Sequence, residues 1–217
     1  MKTFNTYSKS TLNETKLRVF DFDDTLVKSD SQIKVTYPDG ETESLTPGQY
    51  ATHRKDPQNK YDFSEFDILI NPREVKKVTN ILRNVVGAGT DGRENVILTA
   101  RDSTAQKPIQ KYLEEIGINT GALNFVFLGD SDPHAKSGWI EDRIKEGVTD
   151  VLFLDDSGDN VEAVKALAQK YPVEMDARKV AYAEEIEEQM VNEGTEEYEV
   201  DTPEEQLIEN IETLLKE

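Results

Sequence analysis

The sequence predicts an α/β fold in which a parallel sheet is flanked by helices on both faces. Two observations support this class. Short apolar runs typical of buried strands alternate with segments whose apolar residues recur at helical spacing, and two of those runs end in paired aspartates. Strands that alternate with helices form parallel sheets. A chain of 217 residues has room for one such domain plus an insertion or an appendage.

Four apolar runs are the predicted strands of the sheet, and each is apolar at most of its positions, as expected of a strand buried on both faces. They cover residues 17–22, 95–99, 124–128 and 151–154. The predicted helices alternate with them and cover residues 72–86, 103–116, 136–145 and 160–171.

An insertion, residues 28–71, separates the first strand from the first of these helices. Residues 33–37 alternate apolar and polar side chains, a Pro-Asp-Gly turn signal follows, and residues 41–45 can form the return strand. Thr46 and Pro47 are typical of a helix N-cap and first turn. We therefore expect a small β-hairpin cap with one short helix, and a rather open site beneath it.

The two ends of the chain differ from the core, which we place at residues 17–174. Residues 1–16 are predicted to be a polar arm. Residues 175–217 hold 15 Asp and Glu against 3 Lys and Arg, out of a net charge of −19 for the chain, and they contain two predicted amphipathic helices at 180–190 and 203–215. The apolar stripes of this acidic helical extension need a partner, either the domain's own surface or another protein.

Composition excludes several classes of protein. The chain has no cysteine, which excludes disulfides and thiolate metal sites, and no N-terminal apolar stretch resembles a signal peptide or a membrane-spanning helix. We therefore expect a cytoplasmic protein that does not associate with membranes. Strong net acidity disfavours general binding to nucleic acid, because Lys and Arg contacts to phosphates supply most of that affinity.

Polar side chains at the carboxyl ends of the predicted strands form the candidate site, because parallel strands present these ends at one edge of the sheet. Acids two residues apart in an extended segment point the same way and can converge on one ligand. A hydroxyl and a lysine complete the set, which suits a divalent cation with a phosphate, and Mg²⁺ prefers such hard oxygen ligands. The residues are Asp21, Asp23, Thr99, Lys136, Asp155 and Asp156.

Four segments in this order resemble the motifs of the haloacid dehalogenase superfamily, whose members are mostly Mg²⁺-dependent phosphatases. The segments are DFDDTL, ILTAR, HAKSGWI and FLDDSGDN, and the resemblance covers about residues 17–171. It implies a Rossmann-like core whose small cap is the insertion. It also implies phosphomonoester hydrolysis through an aspartyl phosphate.

The resemblance assigns a role to each motif residue. Asp21 is the expected nucleophile and Asp23 the expected proton donor and acceptor, while Thr99 and Lys136 stabilise the phosphoryl group. Thr25 and Arg101 are the expected substrate contacts. The expected metal ligands are Asp21, Asp23, Asp155 and Asp156. Asp23 would bind the metal through its backbone carbonyl, and Asp159 is an alternative to Asp156.

Three functions remain open at this stage. The first is general phosphomonoester hydrolysis, with a phosphorylated small molecule or a nucleic-acid end as the substrate. The second is polynucleotide 3′-phosphatase activity in nucleic-acid end repair, since the small cap and the paired acids of the fourth motif resemble such enzymes. The segment YDFSEFDILINP also resembles bacteriophage-encoded members of the superfamily, which suggests no substrate. The third is a non-catalytic binding module whose acidic extension recruits a protein partner.

Overall fold

The computed structural model describes residues 15–180. Within this range the chain is an α/β protein with a five-stranded parallel sheet and helices on both faces. The strands are β1 (Thr15–Phe20), β2 (Val27–Lys28), β3 (Ile33–Thr36), β4 (Thr42–Leu45), β5 (Lys60–Asp62), β6 (Arg73–Glu74), β7 (Arg93–Thr99), β8 (Asn124–Phe127), β9 (Val148–Asp155) and β10 (Glu174–Lys179). The helices are α1 (Pro47–Thr52), α2 (Lys76–Gly87), α3 (Gln106–Glu115), α4 (Pro133–Lys145) and α5 (Gly158–Lys165).

The main sheet has the strand order β10-β9-β1-β7-β8, and every neighbouring pair is parallel. The chain moves from β1 to β7 and β8 in one direction and then crosses back to β9 on the other side of β1. This reversal makes the boundary between β1 and β9 the topological switch point, where the crevice of such a sheet opens. The carboxyl ends of β1 and β9 meet there.

Two apolar clusters cover the two faces of the sheet. On one face Phe20, Ile97 and Leu154 pack with side chains from α2 and α3, including Leu82 and Ile109. On the other face strand residues pack with α4 and α5, and the cluster includes Leu17, Val19, Val96, Leu98, Phe153, Ile140, Val161 and Val164. Because both faces of the sheet are covered, polar side chains of its central strands can be accommodated only at the ends of those strands.

The insertion forms a three-stranded antiparallel sheet, in the order β4-β3-β5, and a helix. The predicted hairpin is confirmed as the pair β3 and β4, closed through a turn in which Gly40 has a φ of 90°. Thr46 caps α1 in the predicted way, with a capping box completed by Gln49. β5 adds to the other side of β3. The strands β2 and β6 pair antiparallel at the base of the insertion.

Several predicted boundaries are wrong. β9 begins at Val148 rather than at residue 151, and α4 begins at Pro133 rather than at Lys136. Three further differences change the organisation of the chain. The first strand begins at Thr15 rather than Leu17, so the polar arm is shorter than 16 residues. The helix predicted from Pro72 begins at Lys76, because Arg73 and Glu74 pair with β2 as β6. The edge strand β10 crosses the predicted core boundary at 174, so the core sheet continues into the region assigned to the acidic extension.

Two parts of the prediction lie outside the described residues. These are the polar arm up to residue 14 and, apart from Val180, the two acidic helices. Among the helices between residues 15 and 180, none has the length and apolar character needed to cross a membrane.

Candidate active site

A tight turn after β1 places Asp21 at the edge of the sheet. The backbone N–H of Asp21 donates to Leu154 O at 2.9 Å, which still belongs to the sheet ladder. The chain then turns, because the N–H groups of Leu26 and Val27 both donate to Phe22 O. Asp24 takes a left-handed φ of 56°, a conformation that Asp tolerates better than most residues. The turn buries Phe22 completely and leaves the flanking acids beside the crevice.

Lys136 joins the acids of the first and fourth motifs. It lies in the first turn of α4, a helix capped by the side chain of Asp132. Its Nζ donates to Asp21 Oδ1 and to Asp155 Oδ2, both at 2.6 Å. Asp21 is 5% exposed, Lys136 4% and Asp155 0%. The three charged groups therefore meet at the predicted edge of the sheet, but they form a buried cluster there rather than lining an open crevice.

Thr25 lies between the acids rather than in the open crevice. Its hydroxyl accepts from the backbone N–H of Asp156 at 2.9 Å, and it lies 3.2 Å from Asp21 Oδ2 and 3.3 Å from Asp156 Oδ1. A hydroxyl has a single proton, so it donates to one of these carboxylates at a time. In this geometry Thr25 ties β1 to β9 and aligns their acids; its expected contact with a substrate remains a prediction.

Asn160 orients Asp155, a role that was not predicted from the sequence. Its side-chain amide lies 2.9 Å from Asp155 Oδ1 and 3.0 Å from Oδ2, and the N–H of Ser157 donates to Oδ1 at 2.9 Å. Ser157 is itself the N-cap of α5. The available signal was the position of Asn160 in the first turn of the helix that follows the acid pair.

Burial and mutual repulsion shift the pKa values of the clustered groups. Burial, more than the neighbouring acids, raises the pKa of Asp21 well above its usual value, although Lys136 acts against this shift. Burial, followed by the charges of Asp155 and Asp24, raises the pKa of Asp156 to about 7. Burial alone lowers the pKa of a lysine, but Asp21 and Asp155 raise that of Lys136 above its ordinary value.

Three carboxylates of the cluster are arranged so that they could hold a metal ion. Asp21, Asp155 and Asp156 each offer one oxygen, and these oxygens lie within 4.8 Å of one another. One lysine does not neutralise three acids, and the charges of the neighbouring acids add to the burial that raises the pKa values of Asp21 and Asp156. An all-oxygen donor set with uncompensated negative charge fits a hard divalent cation such as Mg²⁺.

Asp23 and Asp159 lie outside this group of carboxylates. The carboxylate of Asp23 is held by Arg101, whose Nε and Nη2 groups donate at 2.8 and 2.6 Å, and the expected binding of a metal ion by the backbone carbonyl of Asp23 remains a prediction. Asp159 is exposed in the first turn of α5. Of the two alternatives weighed from the sequence, the geometry therefore favours Asp156 over Asp159.

Thr99 and Arg101 follow the carboxyl end of β7. Thr99 is buried, and its hydroxyl accepts from the backbone N–H of Arg101 at 3.1 Å, an arrangement that leaves a hydroxyl able to donate its own proton. Arg101 was expected to grip a phosphate, yet its guanidinium contacts Asp23 and the backbone of the insertion. The sequence could not indicate this, because the partners of Arg101 lie 33 to 78 residues away along the chain.

The insertion contacts the loops that follow both β7 and β8, while the expectation of an open site remains a prediction. Arg101 donates to two backbone carbonyls of the insertion, and Thr104 donates to Asp67. On the other side, Lys55 donates to Ser131 Oγ at 3.0 Å. The insertion is short, but these contacts draw it over the carboxyl edge of the sheet.

Comparisons with models of protein families, with curated proteins and with solved structures gave no match to this chain.

Proposed function

We propose that this protein is a Mg²⁺-dependent phosphomonoester hydrolase of the haloacid dehalogenase superfamily. The observation that carries the proposal is the position of Lys136, whose Nζ lies 2.6 Å from both Asp21 and Asp155 at the switch point of the sheet. A buried cation shared by two acids, beside a third acid that can complete a metal site, matches the needs of phosphoryl transfer. The ordered motifs of the sequence support the same reading.

Asp21 supplies the nucleophile in this proposal. One of its carboxylate oxygens forms a bond to phosphorus as the bond from phosphorus to the leaving oxygen breaks, which gives an aspartyl phosphate and an alcohol. Asp23 supplies the proton to the leaving oxygen. Asp23 then accepts a proton from the water that attacks phosphorus, and this second displacement releases inorganic phosphate and restores the Asp21 carboxylate.

The surrounding residues stabilise charge on the transferring group. Lys136 already neutralises Asp21 and is close enough to share its positive charge with a phosphoryl oxygen. Thr99 offers a buried hydroxyl at the end of the adjacent strand. Mg²⁺ bound to Asp21, Asp155 and Asp156 would neutralise the phosphate dianion and so allow an anionic nucleophile to approach it.

The proposal is tested by a screen of phosphate esters in the presence and absence of Mg²⁺. The screen contains p-nitrophenyl phosphate, sugar phosphates, nucleotides, phosphopeptides and 3′-phosphorylated oligonucleotides. Asp21→Asn is expected to lower phosphate release at least about 1,000-fold, because the amide is a poor nucleophile. Borohydride reduction of quenched wild-type enzyme should convert Asp21 to homoserine and so locate the acyl phosphate by mass spectrometry.

The exposed neighbour Asp159 provides the control, since Asp159→Asn changes the charge near the cluster without touching it. Its activity should stay within about twofold of wild type, as for most surface substitutions. A wild-type protein that hydrolyses none of these esters would refute the proposal and favour a binding module. Preference for oligonucleotide ends would instead identify the substrate class as nucleic acid.

A further inference from the structure

The guanidinium of Arg101 joins three parts of the protein at one point. Its Nε and Nη2 groups donate to the two oxygens of Asp23, at 2.8 and 2.6 Å. Its Nη1 group donates to the backbone carbonyls of Phe66 and Ile68, at 2.7 and 3.0 Å. These contacts engage four of the five N–H groups of the side chain, which is 4% exposed.

Two aromatic rings restrict the position of this guanidinium further. Its Cζ atom lies 4.6 Å from the centroid of the Phe66 ring and 5.7 Å from that of the Phe22 ring. Phe66 belongs to the insertion, and Phe22 belongs to the turn after β1. Because a guanidinium binds a carboxylate best when the two groups are coplanar, fixing its plane also fixes the plane of the Asp23 carboxylate.

We propose that Arg101 is a positioning residue that holds the Asp23 carboxylate in place for proton transfer while residues 66–68 of the insertion lie against it. This inference rests on the proposed function. The contacts in the guanidinium plane use one lone pair of each Asp23 oxygen, which leaves the others for a leaving oxygen or a water molecule. Movement of the insertion would break the carbonyl contacts of Arg101 and loosen Asp23, so proton transfer is coupled to closure of the insertion.

The same contacts argue against a direct grip of Arg101 on the phosphate. Two-pronged recognition of a phosphate needs two parallel N–H groups, and the structure leaves one N–H of Arg101 without an assigned acceptor. To grip a phosphate, Arg101 would have to release Asp23 or the insertion, although the residue is only 4% exposed. The two roles predict different kinetics.

The test uses the leaving group as its readout. An alkyl phosphate such as β-glycerophosphate needs a proton on its departing oxygen, whereas p-nitrophenyl phosphate releases a stable anion and needs little help. Arg101→Met is expected to lower kcat/KM roughly 10- to 100-fold for β-glycerophosphate and less than about threefold for p-nitrophenyl phosphate; kcat/KM is compared because it covers the steps up to release of the leaving group and excludes the later hydrolysis of the aspartyl phosphate, which is the same for both esters. Asp23→Asn should show the same selective pattern. The inhibition constant of inorganic phosphate should change less than about twofold, because no phosphate contact is lost.

A double-mutant cycle separates the two roles. If Arg101 acts through Asp23, Arg101→Met in the Asp23→Asn background causes no further loss with β-glycerophosphate. Independent losses, or a roughly 10-fold or greater increase in the inhibition constant of phosphate, would show a direct phosphate contact and overturn the inference. Absence of activity in the wild-type enzyme with every ester would refute the proposed function itself, which is a different result.

A second variant covers the case in which Arg101→Met fails to fold. Phe66→Ala removes the ring against the guanidinium but keeps every charge, and it should give the same leaving-group selectivity with a smaller loss. Tyr37→Phe is the control, since it removes the contact between Tyr37 and Glu43 within the hairpin of the insertion without touching residues 66–68, Arg101 or Asp23. Equal losses with both substrates in Phe66→Ala, or a selective loss in Tyr37→Phe, would contradict the assigned role.

Discussion

Mg²⁺ binding to the three-aspartate group should compete with a proton on Asp156. Burial, and then the charges of Asp155 and Asp24, raise the pKa of the Asp156 carboxyl to about 7. A metal ion binds the ionised carboxylate, so below that pH it must displace a proton. The apparent dissociation constant of Mg²⁺ is therefore multiplied by 1 + 10^(pKa − pH), where the pKa is that of Asp156.

The magnitude follows from that relation. With a pKa of about 7, the factor is about 1.1 at pH 8 and about 11 at pH 6. Binding should weaken about tenfold over this interval, which corresponds to about 1.4 kcal/mol. The complex formed at pH 6 should release about 0.9 proton, against about 0.1 at pH 8. The raised pKa of Asp21 acts in the same direction and can only steepen the dependence.

Isothermal titration calorimetry at pH 6, 7 and 8 measures both quantities, because titrations in buffers with unequal ionisation enthalpies report the proton released. Asp156→Asn should bind Mg²⁺ more weakly at pH 8 and lose most of the pH dependence, whereas Asp159→Asn should retain the wild-type affinity and slope. A dissociation constant that is unchanged within about twofold from pH 6 to pH 8, with no proton release, would refute the reasoning.

Two buried ion pairs give further predictions, both checked by urea denaturation. Lys136→Met should destabilise the Mg²⁺-free protein by about 3 to 5 kcal/mol at pH 7.5, because it leaves Asp21 and Asp155 without their cation. The destabilisation should be smaller at pH 5.5, because acids with raised pKa values bind protons there and repel each other less. A loss of unfolding free energy that is equal at the two pH values would contradict this expectation. The second variant, Arg18→Met, breaks a two-pronged ion pair with Asp150, at 2.7 Å for each contact, toward the amino ends of the strands. It should cost about 3 kcal/mol and leave kcat unchanged, and a fall in kcat measured on the folded fraction would show that the pair affects the active site.

The sequence predicted the strands and acids of the site well, because both signals are local. β1, β7 and β9 are apolar runs buried on both faces, β8 is an apolar edge strand that is partly buried, and a polar residue at the end of such a run has no place in the core. Lys136 could be placed at this edge because it lies near the start of the helix that follows the third strand. Spacing along the chain was enough to bring these residues to one edge.

The remaining features depend on contacts that spacing does not encode. β10 was missed because an edge strand needs only alternate apolar residues, and Met175 and Ala177 alone face the core between charged neighbours. β6 was missed because a two-residue strand has no periodicity. The partners of Arg101 and the degree of closure of the site follow from how the insertion folds back on the core, which no local pattern reports.

The pairing of β2 with β6 has a consequence for how this protein can be altered. Val27 lies opposite Glu74 and Lys28 opposite Arg73, so the chain leaves the core and returns to it at the same point. Since the ends of the segment are already joined there, a change in its length adds only a loop-closure cost that grows logarithmically. Residues 29–72 can therefore be shortened or lengthened without a change in the register of the main sheet, but their replacement also removes the carbonyls of Phe66 and Ile68 that accept from Arg101.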